Sequence, residues 1–175
     1  MEFFETIKQR ESCRNYDGRM VEKEKLLACV EAAQAAPSAC NSQPWSYIVV
    51  TNKDLLPQVA KITQAQGLNK FTNQCPAFVV VVEEPAYLIG SKKEPNQKFA
   101  SIDIGLSVGQ LCLAATAQGL STCIMGSFAE ADLKQLLAVP EEKNIRLVLA
   151  VGYAADSALR PKKRKPVEQI ARFEE

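Results

Sequence analysis

Histidine is absent from all 175 residues, and that absence excludes a great deal. Without an imidazole there is no Ser-His-Asp or Cys-His catalysis, no His-Glu-x-x-His zinc hydrolysis, and no side chain that ordinarily changes charge near neutral pH. Demanding chemistry therefore belongs to a bound cofactor, and no catalytic side chain is assigned. Structural metal is excluded on related grounds, since the six cysteines (Cys13, Cys29, Cys40, Cys75, Cys112 and Cys123) form no Cys-x-x-Cys pair. They read as reduced, mostly buried thiols. There is no Gly-x-Gly-x-x-Gly turn and no Walker loop, which leaves dinucleotide and nucleoside-triphosphate folds unsupported. A net charge of +1 gives no field that would draw nucleic acid or a membrane surface. No apolar run approaches the roughly 18 residues of a spanning helix. Glu2 and Glu5 stand where a signal peptide would be basic, so the expectation is a cytoplasmic protein with neither a nucleic-acid nor a membrane partner. With 47% hydrophobic and 23% charged residues, the chain reads as one globular domain over 1–175.

What is present concentrates in a few stretches. Pro37-Ser38-Ala39-Cys40-Asn41-Ser42-Gln43-Pro44-Trp45 lies between a helical pattern and a strand pattern and is more polar and stiffer than a connection needs. Two prolines fix φ, while Ser38, Asn41, Ser42 and Gln43 both donate and accept, a combination suited to a planar ligand with hydrogen-bonding edges. Upstream, Arg10, Ser12 and Arg14 alternate, so an extended chain puts two guanidinium forks and a hydroxyl on one face, matched to phosphate oxygens. An isolated cluster of this kind reads equally as a solvated charge group. Near the other end, the 160–166 stretch holds five cations in seven residues.

Between these stretches, apolar spacings of three and four predict helices over 22–35, 53–65 and 130–138, after a short opening helix carrying Phe3, Phe4 and Ile7. Strands are predicted over 46–51, 77–82, 121–128 and 145–153, the second as a continuous apolar run buried on both faces. The 83–98 stretch reads as a loop, a lid or a solvated connection with equal justice. The 100–118 stretch, with Asp103 as its only charge, predicts a helix buried nearly all round. Gly105 and Gly109 would let another backbone approach it, offsetting the roughly 1 kcal/mol that each interior glycine costs a helix. One chain of this size has little room to enclose such a helix, so a second copy is expected to cover part of it.

Taken in order, these elements resemble the FMN-dependent nitroreductase family. The resemblance rests on Arg10-x-Ser12-x-Arg14, on Pro37-Ser38-x-x-Asn41-x-Gln43-Pro44-Trp45, on Asp103-x-Gly105 with Ala114-Ala115 and Gly119-Leu120, and on Lys162-x-Arg164-x-Pro166. It covers about Arg10 to Ile170. It implies an α+β, three-layer fold with a central mixed, largely antiparallel sheet flanked by helices, and a homodimer built on the long helix with FMN at each subunit interface. It also implies roles. Arg10, Lys162 and Arg164 would neutralise the FMN phosphate, with Ser12 beside them, and Arg14 would stabilise the reduced, anionic ring. Pro37, Ser38, Ala39, Asn41 and Gln43 would hold the ring, Asn69 would touch its pyrimidine edge, and Met125 and Gly126 would present backbone to its reactive nitrogen. Lys70 reads as a surface turn residue, and Arg160, Lys163 and Lys165 as solubilising charge. Some relatives have glutamate where this chain has Met125, which predicts a less acidic substrate side. The implied activity is ping-pong transfer of electrons from NADH or NADPH to a small electron-poor acceptor such as a nitroaromatic or quinone. The alternatives are an FMN-binding protein without general turnover, or a specialised reductase acting on flavins or halogenated substrates.

Overall fold

The computed structural model describes residues 2–90, 94–156 and 158–174. Its helices are α1 (Phe3–Gln9), α2 (Lys23–Gln34), α3 (Leu56–Thr63), α4 (Ala100–Ala117) and α5 (Glu130–Leu137). Its strands are β1 (Trp45–Val50), β2 (Ala77–Glu83), β3 (Ser121–Met125) and β4 (Ile145–Gly152), in the order β1-β2-β4-β3. All three strand pairings are antiparallel. Among the described residues, parallel pairing is confined to the isolated bridge between Ser12 and Thr122.

The run Ala77–Glu83 explains the layering. Four consecutive valines favour extended backbone, and successive side chains point to opposite faces. Val79 and Val81 pack with Leu26, Cys29 and Ala33 of α2 and with Ile104, Val108 and Leu111 of α4. Phe78, Val80 and Val82 pack with Val59 and Ala60 of α3 and Leu133 of α5. Each such side chain, fully buried, is worth roughly 1.5 to 3 kcal/mol. The outcome is α2 and α4 on one face, the sheet, and α3 and α5 on the other: the three-layer α+β fold expected. Helix α3 begins later than periodicity suggests because Asn52 Oδ1 accepts from the amides of Asp54 (2.8 Å) and Leu55 (3.3 Å), holding 52–55 as a turn.

Helix α4 departs from its reading as buried all round. Ile104, Val108, Leu111 and Ala115 are buried, but Ile102 is 59% and Leu106 47% exposed. Gly105 and Gly109 lie on this open face, and a Cβ added to either would meet nothing within 4 Å. Among the described residues, then, no backbone of another element comes close to these glycines. The stretch Gln97–Ala117 is also long and apolar enough to cross a membrane by length and composition, contrary to the expectation that no such run exists. Here half of it is buried in the fold, against α2 and the sheet.

Candidate functional site

Arg10, Ser12 and Arg14 follow α1 in extended conformation. The Cys13 amide donates to Thr122 O at 2.9 Å, which fixes the segment against β3. Alternation then buries Cys13 and leaves Arg10, Ser12 and Arg14 on the outer side. They line a cavity of about 320 Å³ together with Glu11, Arg160, Pro161, Lys162, Lys163 and Arg164. Six cationic side chains and one acid thus share one small space. Burial pushes the Lys162 ammonium below the ordinary lysine range, and the charges of Arg10 and Arg164 push it further. Lys162 also donates to the carbonyls of Ile7 and Lys8 at the end of α1. Crowded like charges of this kind are relieved by an anion, and guanidinium forks suit phosphate oxygens.

Arg160 is the residue the sequence undervalued. It donates to Ser12 O and pairs with Glu11 at 3.4 Å, so it ties the cationic stretch 160–164 to the Arg10–Arg14 segment. Nothing within a run of five cations distinguishes it. Its distant partners do, the carboxylate of Glu11 and the carbonyl of Ser12.

The proline loop forms a second group. Ala39 N donates to the buried Asp103 carboxylate of α4 at 3.1 Å, and Gln43 N donates to Ser38 Oγ at 2.9 Å. Gln43 Nε2 donates to Asn41 O at 3.1 Å. Cys40, Asn41 and Gln43 all have positive φ, of 55°, 55° and 49°. Outside glycine, such residues cost roughly 1 to 2 kcal/mol each and persist only where the surroundings enforce them. Pro37, Asn41 and Gln43 are exposed, and Ser38 and Ala39 are half-buried.

Asn69, Met125 and Gly126 form a third group, and the first two have side chains already engaged within the fold. Asn69 uses its amide to donate to both Thr63 O and Ser127 O, each at 3.1 Å. Both hydrogens are spent on shaping the turn after β3, leaving only Oδ1 for a ligand. Met125 is 3% exposed and packs in the core under α3 and α5. Its side chain is thus committed to the core. Gly126 is exposed, and an added Cβ would meet nothing within 4 Å, so the space over this backbone is open.

The three groups are not gathered by one chain. The proline loop feeds β1 at one edge of the sheet, whereas the cationic segment is bridged to β3 at the other. Three strand spacings, roughly 14 Å in all, separate those edges, and the cationic cavity includes no residue of 37–43.

Comparison with known proteins gives a consistent picture. The model of the family described as Nitroreductase family matches residues 7–69 and 57–153. An iodotyrosine dehalogenase 1 homolog of Caenorhabditis elegans is 29% identical over 98% of this chain, which spans 61% of that protein's length. An oxygen-insensitive NADPH nitroreductase of Helicobacter pylori is 25% identical over 94% of this chain and 93% of its own. A crystal structure of an oxidoreductase containing FMN superposes with a TM-score of 0.81 at 25% identity, over 95% of this chain and 88% of that one.

Proposed function

The chain belongs to the nitroreductase family of oxidoreductases, and from that premise we propose that it acts as a single-domain FMN-dependent reductase, a homodimer with a site shared between two copies. The cavity of six cations beside Ser12 carries this reading. It is suited to the terminal phosphate dianion that distinguishes FMN from riboflavin. The donor set fits the group: Arg10, Lys162 and Arg164 would neutralise phosphate, with Arg160 anchoring the wall they share. The open backbone of Gly126 and the stiffened loop at Ser38, Ala39, Asn41 and Gln43 would take the ring.

When bound, the flavin would take hydride from NADH or NADPH and pass the electrons to a small electron-poor acceptor such as a nitroaromatic or quinone. The protein's own part is positioning and charge. Arg14, exposed at the cavity rim, would face negative charge that the ring carries only after reduction, and so favours the reduced state. A second copy is supported by the two edges of the sheet: the loop lies on one edge and the cations on the other, and pairing two chains would let both contribute to one ligand. The uncovered stripe of Ile102, Gly105, Leu106 and Gly109 offers the surface for that pairing.

A narrower reading keeps the flavin and drops general turnover, and the dehalogenase relative keeps halogenated substrates open for this chain as well. Anaerobic addition of NADH and NADPH to the flavin-loaded protein separates these. Rapid bleaching of the flavin absorbance, followed by recolouring with a nitroaromatic or quinone, is the expected result. Flavin that stays oxidised with both donors contradicts the reductase.

A further inference from the structure

The proline loop is strained, and its hydrogen bonds extend beyond the loop itself. Three of its residues hold positive φ without being glycine. A second segment, residues 84–89, is laid against it. Ser42 Oγ accepts from Tyr87 N at 2.7 Å and donates to Tyr87 O at 2.6 Å, so one hydroxyl saturates both backbone groups of that tyrosine. Ile89 N donates to Cys40 Sγ at 3.3 Å, and Glu84 N to Pro44 O at 3.1 Å. The segment is in turn fixed by Gln97. Its Oε1 accepts from Ala86 N at 2.6 Å, while its Nε2 donates to Glu83 Oε1 at 2.6 Å and to Glu84 O at 3.0 Å. Glu83 is itself buried and paired with Arg146. A continuous chain of contacts therefore runs from the sheet through Gln97 and residues 84–89 to Cys40 and Ser42.

We infer that Ser42 and Gln97 are positioning residues for the cofactor: through residues 84–89 they hold Cys40, Asn41 and Gln43 in the left-handed region, and with it the loop shape that presents Ser38, Ala39, Asn41 and Gln43 to the flavin ring. The inference rests on the FMN reading above. Ser42 acts through the strap, since its hydroxyl hydrogen and one of its lone pairs are engaged by Tyr87. Gln97 acts from further away still. The strain explains why such a strap is needed: a loop in sparsely populated backbone conformations relaxes once its outer restraint is lost.

The test uses the full chain, stripped of flavin and titrated with FMN by fluorescence quenching. Thermal melting and amide hydrogen exchange of 39–45 are followed in parallel. Ser42→Ala and Gln97→Ala are each expected to weaken FMN binding by roughly tenfold, the scale of one or two lost hydrogen bonds. Exchange at 39–45 should rise in both while the melting temperature changes little, and Ser42→Thr, which keeps the hydroxyl, should restore affinity. A dissociation constant within twofold of the wild type in both alanine variants overturns the inference. So does weaker binding that only follows global loss of stability, with no local rise in exchange. If the wild-type chain takes up no FMN, the functional reading falls. The inference then falls with it as a cofactor device, even where exchange shows that the strap orders the loop.

Discussion

Lys162 sits at the charged centre of the proposed phosphate site, and its protonation reports on it. Its ammonium is lowered by burial first and by Arg10 and Arg164 next. A basic group lowered in the folded state binds its proton less tightly there than in the unfolded chain. The flavin-free protein therefore gains stability at this residue as pH rises from the lowered value toward the ordinary lysine range. A bound dianion reverses the sign by favouring the charged form. Carbon-13 NMR of the lysine Cε should show Lys162 titrating below the ordinary lysine range, then moving upward when FMN is added. A titration that FMN leaves unmoved would remove Lys162 from the phosphate site.

The arginines are expected to divide their labour. Arg164→Ala removes a charge-assisted contact worth roughly 1.5 to 3 kcal/mol, so FMN affinity should fall about ten- to a hundredfold. Turnover of the remaining flavin-loaded protein should barely change. Arg14→Ala should instead lower the flavin's reduction potential, by about 30 mV for each 1.4 kcal/mol lost. Titration with FMN and measurement of both midpoint potentials check the assignment. If Arg14→Ala loses flavin at unchanged potential while Arg164→Ala does the reverse, the two roles are exchanged.

Residue placement was legible in the sequence where alternation fixed it, as at Arg10, Ser12 and Arg14, which share the outer side of their segment. It was not legible where a distant partner decides the role. Asn69 is committed to Ser127, 58 positions on, and Ser42 to Tyr87, 45 positions on. Met125 fell on the inward phase of β3, a register that the short strand's composition does not reveal.

At the scale of elements, helix α4 decides how much of the fold one chain can complete. Its periodicity was readable, and so was its apolar excess. What composition does not tell is which chain covers which face. One stripe faces α2 and the sheet, and the other, with Ile102, Gly105, Leu106 and Gly109, is open. This yields a discriminating substitution. Because a Cβ at Gly109 meets nothing within the chain, Gly109→Ala in an isolated subunit should be neutral, or stabilise the helix by up to about 1 kcal/mol. Gly109→Leu should instead drive a dimer paired through this stripe to monomer by pushing the two helices apart. Light scattering of wild type and variant at micromolar concentration gives the answer. A wild-type monomer would contradict the shared site, and a Leu variant that stays dimeric would place the pairing on another face.

The strap belongs to this scale as well. The 83–98 stretch has little periodicity, so its sequence alone left lid and solvated connection equally open. Residues 91–93 of it lie outside the described residues. Its two flanks are held by contacts to Cys40, Ser42, Pro44, Glu83 and Glu84, which no local pattern announces.

For the whole molecule, the account joins a three-layer fold to a site that one copy leaves divided between two sheet edges. The layers follow from the alternation of β2 between two helix pairs, a consequence of its valine run, and that part was open to a reader of the sequence. The division of the site entered only through the family resemblance, which implies FMN at each subunit interface, because strand order places β1 and β3 at opposite edges whatever their local sequences. The central claim is that the six-cation cavity holds the phosphate of FMN, and the chromophore itself tests it most directly. The protein purified without added flavin is denatured in acid, and the released molecule is identified by mass spectrometry and counted against protein. The account predicts FMN at about one per chain. Release of FAD or riboflavin, or of no flavin even after incubation with FMN, would contradict it.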